Sequence, residues 1–286
     1  PLATAIATAA AEVAAGQHDR EFPVDVFQTG SGTSSNMNAN EVIANLAAER
    51  MGGPVHPNDH VNLGQSSNDV VPTAIHVSVL LLWQRELQPA LQVLVASLAR
   101  REAELASVTK TGRTHLMDAM PLTFGQEVSA WRAQVVLAEA RLSDAAARLA
   151  QLAQGGTAVG TGINCHVEFP LRFCAELSRL TSVRFGPASN YFAALSSQAT
   201  GLEWSAQLRG LAVELLKICN DLRWMNSGPL AGLGEIELPA LQPGSSIMPG
   251  KVNPVIPEAV AMAAAQIIGW DSAVTIAAQS GNFQLN

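Results

Sequence analysis

Charge is scarce in this sequence. Asp, Glu, Lys and Arg make up 14% of its 286 residues, against roughly 25% in typical soluble domains. A chain so poor in charge, with 48% apolar residues, is expected to hide surface against other copies of itself. With 17 Lys and Arg against 24 Asp and Glu, a formal net charge of −7 and no basic run, neither nucleic acid nor an anionic membrane is expected as a partner. Attraction for an anionic ligand must then be local, from a few placed cations and backbone N–H groups. Cysteine is scarce too. Cys165, Cys174 and Cys219 are odd in number, scattered and without a CxxC pair, so they read as reduced core thiols of a cytosolic-type compartment rather than as disulfides or metal ligands. No uncharged apolar run reaches the ~18–20 residues of a membrane span, and nothing resembles a signal peptide. The chain opens inside an Ala-rich helical pattern without Met and stops at "SGNFQLN"; the expectation is the middle of a longer protein.

What is present is long helical periodicity. Trp131, Val135, Ala138, Leu142, Ala145, Leu149 and Leu152 step alternately by four and three. Trp204, Leu208, Leu211, Leu215, Ile218, Leu222 and Met225 repeat the rhythm, and a third seam runs through Val77, Leu80, Leu87, Leu91, Leu94 and Leu98, with a kink expected at Pro89. Seams of this length predict long helices packed at shallow angles. The segment from Ala259 to Trp270 has no charge and no polar face and is expected to be buried all round. Period-2 patterns are nearly absent. The predicted fold is all-α, an elongated bundle of long helices whose central members pack against other subunits; a coiled-coil scaffold without chemistry shares these features.

Between the helices lie five polar loops. "QTGSGTSSNMNANE" (28–41) crowds hydroxyls and amides ahead of a helix, more than capping needs, and such a terminus also suits an anion. "HPNDHVNLGQSSNDVVP" (56–72) repeats the arrangement, with "SSND" before a helix and Pro72 expected in its first turn. Its His56, Asn58, Asp59 and His60 lack the spacing of a zinc site. In "KTGRTHLMDAMPLTFGQE" (110–127), His115 and Thr114 sit in a turn between two long helices with Lys110 and Arg113 nearby, and imidazole exchanges protons near neutral pH. "GGTAVGTGIN" (155–164) follows a helix rather than a strand and does not fit a dinucleotide fingerprint, so tight-loop glycines are the better reading. "PGSSIMPGKVNP" (243–254) offers two hydroxyls and Lys251, the only charge between Glu237 and Glu258; alone it reads as a connector more readily than as a site. Together these groups, without a Cys or metal-type carboxylate cluster, suit a small anion with several oxygens and proton transfer rather than redox work, and no cofactor is expected.

"GSSIMPGKVNP" resembles the signature of the fumarase/aspartase superfamily, and "TGSGTSSNMNANE", "HPNDHVNLGQSSND" and "GRTHLMDAMPLTFGQE" resemble the companion blocks of class II fumarases, in the same order. The likeness runs from about Phe22 to Asn286. Aspartases typically carry Gln where His115 stands, Ala where Ser31 stands and Ser-Thr-Asn-Asp in place of "SSND", so the sequence is similar to the fumarase branch. The resemblance implies reversible anti-elimination of water from (S)-malate to give fumarate, without a metal, in the citric acid cycle. Ser245 is then the base and His115, with Thr114, protonates or binds the departing hydroxyl. Glu258 orients the imidazole, while Lys251 and Asn253 with loop N–H groups, including that of Val252, stabilise the aci-carboxylate. Ser31, Gly32, Thr33, Ser66, Ser67, Asn68 and Ser246 hold the carboxylates, and His56, Pro57, Asn58 and Asp59 match a secondary dicarboxylate site.

The family architecture implies a homotetramer with each site shared by three subunits, in the cytoplasm (mitochondria in a eukaryote). Residues 1–68 would be the remainder of an N-terminal domain carrying substrate-binding loops and 69–286 the central helical domain, the C-terminal domain lying outside these residues. Two other readings stay open: a superfamily lyase that releases an amine, and a non-enzymatic helical scaffold.

Overall fold

Helices built on the apolar seams dominate the computed structural model, which describes residues 1–29 and 32–286. In chain order they are α1 (Leu2–Ala14), α2 (Thr33–Met51), α3 (Ser67–Leu82), α4 (Gln88–Glu104), α5 (Phe124–Leu149), α6 (Phe169–Thr181), α7 (Tyr191–Ser196), α8 (Ala199–Met225) and α9 (Val255–Ala278). The strands are two antiparallel partners, β1 (Thr109–Thr114) and β2 (Met117–Thr123), and two short parallel ones, β3 (Gln151–Leu152) and β4 (Gly186–Pro187). The all-α class therefore stands, with a hairpin added.

The first seam is the inner face of α5. Trp131, Val135, Ala138, Leu142, Ala145 and Leu149 are all buried, as is Leu152, which continues the seam into β3 after the helix has ended. Each large member contributes about 1.5–3 kcal/mol by leaving water. On α8 the seam is buried every seventh residue, at Trp204, Leu211, Ile218 and Met225, while Leu208, Leu215 and Leu222 between them stay half-buried. The third seam breaks where Pro89 disturbs it. The disturbance falls in the preceding turn, a π-type turn over Trp83–Leu87, with Pro89 in the first turn of α4. Pro89 has no N–H to offer the carbonyl four residues back, which widens that turn. Pro72 sits at the sixth position of α3, not in its first turn.

The chain forms two compact units. The first comprises Pro1–Leu81, Ala147–Gly201 and Ala277–Asn286; the second comprises Leu82–Ala146 and Leu202–Ile276. In the first, α1 and α2 share a small core of Ala5, Ala9 and Ala47, flanked by Ile6, Ile43, Leu46 and Val55. A strap closes it: Asn286 N–H donates to the Leu195 carbonyl at 3.0 Å and its side-chain amide to that of Ala278 at 2.6 Å. The glycine-rich segment 155–162 follows β3 rather than a helix. It is a tight turn, buried at 155–157 and at Gly160, in which Gly155 has φ +105° and a Cβ there would meet Pro170 Cγ at 2.3 Å.

In the second unit, Trp83 and Trp204 meet edge to face with centroids 5.4 Å apart. Two expectations fail here. The segment 109–123, expected as a turn between helices, is a β-hairpin. And α9 is not buried all round: within this chain only Pro257, Ala264 and Asp271 are buried, while Ile256, Met262, Trp270, Val274 and Ile276 are exposed. The helix touches its own chain along one narrow line, where Asp271 accepts from Ser205 Oγ at 2.7 Å and from Arg209 Nη1 at 2.5 Å. By length and hydropathy α9 could cross a membrane; Asp271, buried and satisfied by α8, ties it to protein instead.

Candidate active site

In the first unit two helix N-termini converge. Thr33 opens α2 behind Gly32, whose φ is +67°, and Ser67 opens α3. Their hydroxyl oxygens lie 3.2 Å apart, both half-buried. The start of α3 is a capping box: Asn68 N–H donates to Ser66 Oγ at 3.2 Å, and Ser66 N–H to Asp69 Oδ1 at 3.0 Å. Asp69 does more than cap. Its Oδ2 accepts from Gly155 N–H at 3.0 Å and Thr157 N–H at 2.8 Å, and Asn68 Nδ2 donates to the Ala158 carbonyl at 2.7 Å. Burial raises the Asp69 carboxyl above its ordinary range, opposed by the three N–H donors. The SSND segment and the glycine turn are thus one rigid piece. Thr33, Ser66, Ser67 and Asn68 are brought together in it; Ser31 lies outside the described residues. Such hydroxyls and free N–H groups at two helix starts suit a carboxylate.

His56 caps the next turn, accepting at Nδ1 from Asp59 N–H at 3.1 Å, while its own N–H donates to His60 Nδ1 at 2.9 Å. Nδ1 of His56 is therefore an acceptor, and the neutral ring carries its proton on Nε2. His56, Asn58 and Asp59 are exposed and Pro57 is half-buried. No group of three His, Cys, Asp or Glu side chains fit to hold a metal occurs among the described residues.

In the second unit the serine loop folds back on itself. Gly244 N–H donates to the Lys251 carbonyl at 2.9 Å, and Asn253 Nδ2 to the Gly244 carbonyl at 3.4 Å. Inside this closure Ser245 Oγ accepts two backbone N–H bonds, from Ile247 at 3.3 Å and Met248 at 3.2 Å. Two donors on one hydroxyl oxygen stabilise negative charge there, the condition a serine base needs. Lys251, Val252, Asn253 and Glu258 line a cavity of about 930 Å³ together with Asn226, Glu235 and Glu237. Ser245, Ser246, Thr114 and His115 are not among its lining residues.

Thr114 and His115 stand at the exposed tip of the β1–β2 hairpin. Thr114 pairs with Met117, and the two residues between, His115 and Leu116, have φ of +54° and +62°, the backbone of a type I′ turn. No hydrogen bond joins His115 to Glu258 among the described residues. Lys110 and Arg113, the cations noted near His115 in sequence, are taken up by carboxylates. Lys110 pairs with Glu127 and Glu235, and Arg113 with Glu235 and Asp118. Sequence reasoning assigned no role to Asp69 or Glu235. The Ser66–Asp69 spacing could have marked the first; nothing in the sequence marks the second.

The sequence model of a family described as "Lyase" matches residues 2–269. A fumarate hydratase class II of Xylella fastidiosa (strain Temecula1) is 65% identical over 285 residues, covering all of this chain and 60% of the relative. A second, from Pseudomonas aeruginosa, is 58% identical over 286 residues, covering all of this chain and 62% of that protein. The crystal structure of a class II fumarase from Schistosoma mansoni superposes with a TM-score of 0.97 at 42% identity, over 99% of this chain and 64% of that one. The chain thus spans about 60% of the length of the curated relatives it matches.

Proposed function

We propose, from the premise that this chain belongs to the lyase family, that the full-length protein is an enzyme that reversibly hydrates fumarate to (S)-malate. The observation that carries this is the serine loop, where two N–H groups converge on Ser245 Oγ while Lys251 and Asn253 face one cavity. The C3 proton of malate is very weakly acidic, and its removal puts new negative charge beside a carboxylate. Ser245 takes that proton. Lys251 and Asn253, with loop N–H groups such as that of Val252, stabilise the aci-carboxylate. His115, assisted by Thr114, gives a proton to the departing hydroxyl, and Glu258 orients the imidazole. Ser31, Gly32, Thr33, Ser66, Ser67, Asn68 and Ser246 hold the substrate carboxylates. No step calls for a metal or cofactor. His56, Pro57, Asn58 and Asp59 form the secondary dicarboxylate site.

The same reading places the enzyme in the cytoplasm as a homotetramer with each site drawn from three subunits, and divides the chain into substrate-loop residues 1–68 and a helical domain from 69 onward. The exposed apolar residues of α9 support the assembly. The test is turnover by the full-length protein, followed through fumarate's ultraviolet absorbance. Ser245→Ala is expected to lower kcat by about 10²–10⁴-fold, the range for a lost general base. Unchanged turnover in that variant removes the base assignment, and turnover of aspartate without malate overturns the reaction.

A further inference from the structure

Four charged side chains of the second unit meet at Glu235, beside the cavity that Lys251 and Asn253 line, and none has a part in the reaction as written above. Lys110 and Arg113 extend from β1, Glu127 from the first turn of α5 and Glu235 from the coil after α8. Glu235 Oε1 accepts from Arg113 Nη1 at 2.9 Å, and its Oε2 lies 3.7 Å from Lys110 Nζ. Lys110 also donates to Glu127 and lies over the Phe124 ring, 5.0 Å from its centroid. The Lys110 side chain is 6% exposed and that of Glu235 14%, so these charges are screened by each other rather than by water. Within the screened cluster two cations face two carboxylates, Asp118 adding a solvent-exposed third at 3.8 Å from Arg113. Removing one carboxylate leaves a buried positive charge uncompensated, which the surroundings relieve by moving.

Glu235 is itself pinned. Its N–H donates to the Met225 carbonyl at 2.8 Å, and that of Ile236 to the same carbonyl at 3.2 Å. The carboxylate is therefore fixed to the C-terminal end of α8 and grips the hairpin at Arg113. Arg113 is followed directly by Thr114 and His115, whose side chains make no hydrogen bond among the described residues. Beyond the backbone pairing of Thr114 with Met117, these side chains have no hydrogen bond of their own among the described residues, so their aim is set at the hairpin's base. Glu235 also lines the cavity of Lys251, Asn253 and Glu258, so one residue touches both the wall of that cavity and the root of the histidine hairpin.

We infer that Glu235 is a positioning residue that, through Arg113, aims Thr114 and His115, a role that rests on His115 being the proton donor of the proposed hydration. The full-length protein is assayed with fumarate. Glu235→Gln keeps the shape and removes the charge. Its kcat is expected to fall tenfold to a hundredfold, on the order of a 1 Å misplacement, with KM within about twofold. Arg113→Lys keeps the charge, loses the forked geometry and reproduces the kcat loss; circular dichroism at the assay temperature reports folding of both variants. In a His115→Asn background, Glu235→Gln is expected to add no further loss, because the group it aims is gone.

Equal proportional losses in both backgrounds, or wild-type kinetics in both Glu235→Gln and Arg113→Lys, overturn the role of Glu235 and leave the hydration reading intact. Wild-type kcat in His115→Asn alone instead overturns the proton-donor assignment and this role with it. If Glu235→Gln does not fold, Arg113→Lys in the two backgrounds decides the matter by the same comparison.

Discussion

Asp69 is the residue on which the first half of the site is built. Its two oxygens take three N–H donors, from Ser66, Gly155 and Thr157. An amide cannot replace it, since one oxygen becomes an NH₂ group facing donors. Asp69→Asn is expected to cost roughly 1–3 kcal/mol in urea unfolding, the penalty of a buried unsatisfied group; wild-type stability would contradict this anchor. Acid does not release it. Burial outweighs the hydrogen bonds and raises the folded-state pKa above the ordinary 3.8. The stability tied to this proton is therefore fully present below 3.8 and is lost as pH rises through the raised value. The Ser66–Asp69 cap was legible as a helix start. The grip on Gly155 and Thr157, 86 and 88 residues further on, was not, because nothing local in either segment depends on the other. The same holds for Arg113 and Glu235, 122 residues apart.

Among elements, legibility tracked burial on one face. Helices α5 and α8 were readable because their apolar residues recur at the period of a helix pressed against protein along one stripe. The β1–β2 hairpin escaped because water touches both its faces, Met117, Met120 and Leu116 being exposed, so no alternation is written into it. Pro121, tolerated only at a sheet edge, further disguised it. Its shape depends on Gly112, at the bulge between Thr111 and Arg113. A Cβ there would meet the Met120 carbonyl oxygen at 2.5 Å, a backbone atom that cannot step aside. Gly112→Ala is expected to destabilise by about 1–3 kcal/mol, as overpacking does, and to lower kcat by displacing His115. An unchanged thermal midpoint with unchanged kcat would show that the bulge tolerates a methyl group.

At the scale of the whole molecule, the low charge and the featureless apolar run of 259–270 predicted burial that one chain does not provide. The physical reason is visible on α9: it meets its own chain through Asp271, Ala264 and Pro257, and Met262 and Trp270 point elsewhere. The proposed homotetramer accounts for them. Met262→Asp with Trp270→Asp would set two charges in a desolvated contact. The mass by light scattering is expected to fall from that of four chains to that of a smaller species, and activity with it if sites are shared. A tetramer that survives both changes would place the interface on another surface.

The first unit is stitched from three separated stretches, the last of them 277–286, whose Asn286 closes onto Leu195 and Ala278. On a translating ribosome, α1, α2 and α3 emerge long before that closing stretch exists. The first unit must therefore wait, partly assembled, while the whole of the second unit's sequence is synthesised. A nascent chain stalled short of residue 277 should stay open to protease across 191–198, where Asn286 binds Leu195 and Gln198, and become resistant only once the strap has cleared the exit tunnel.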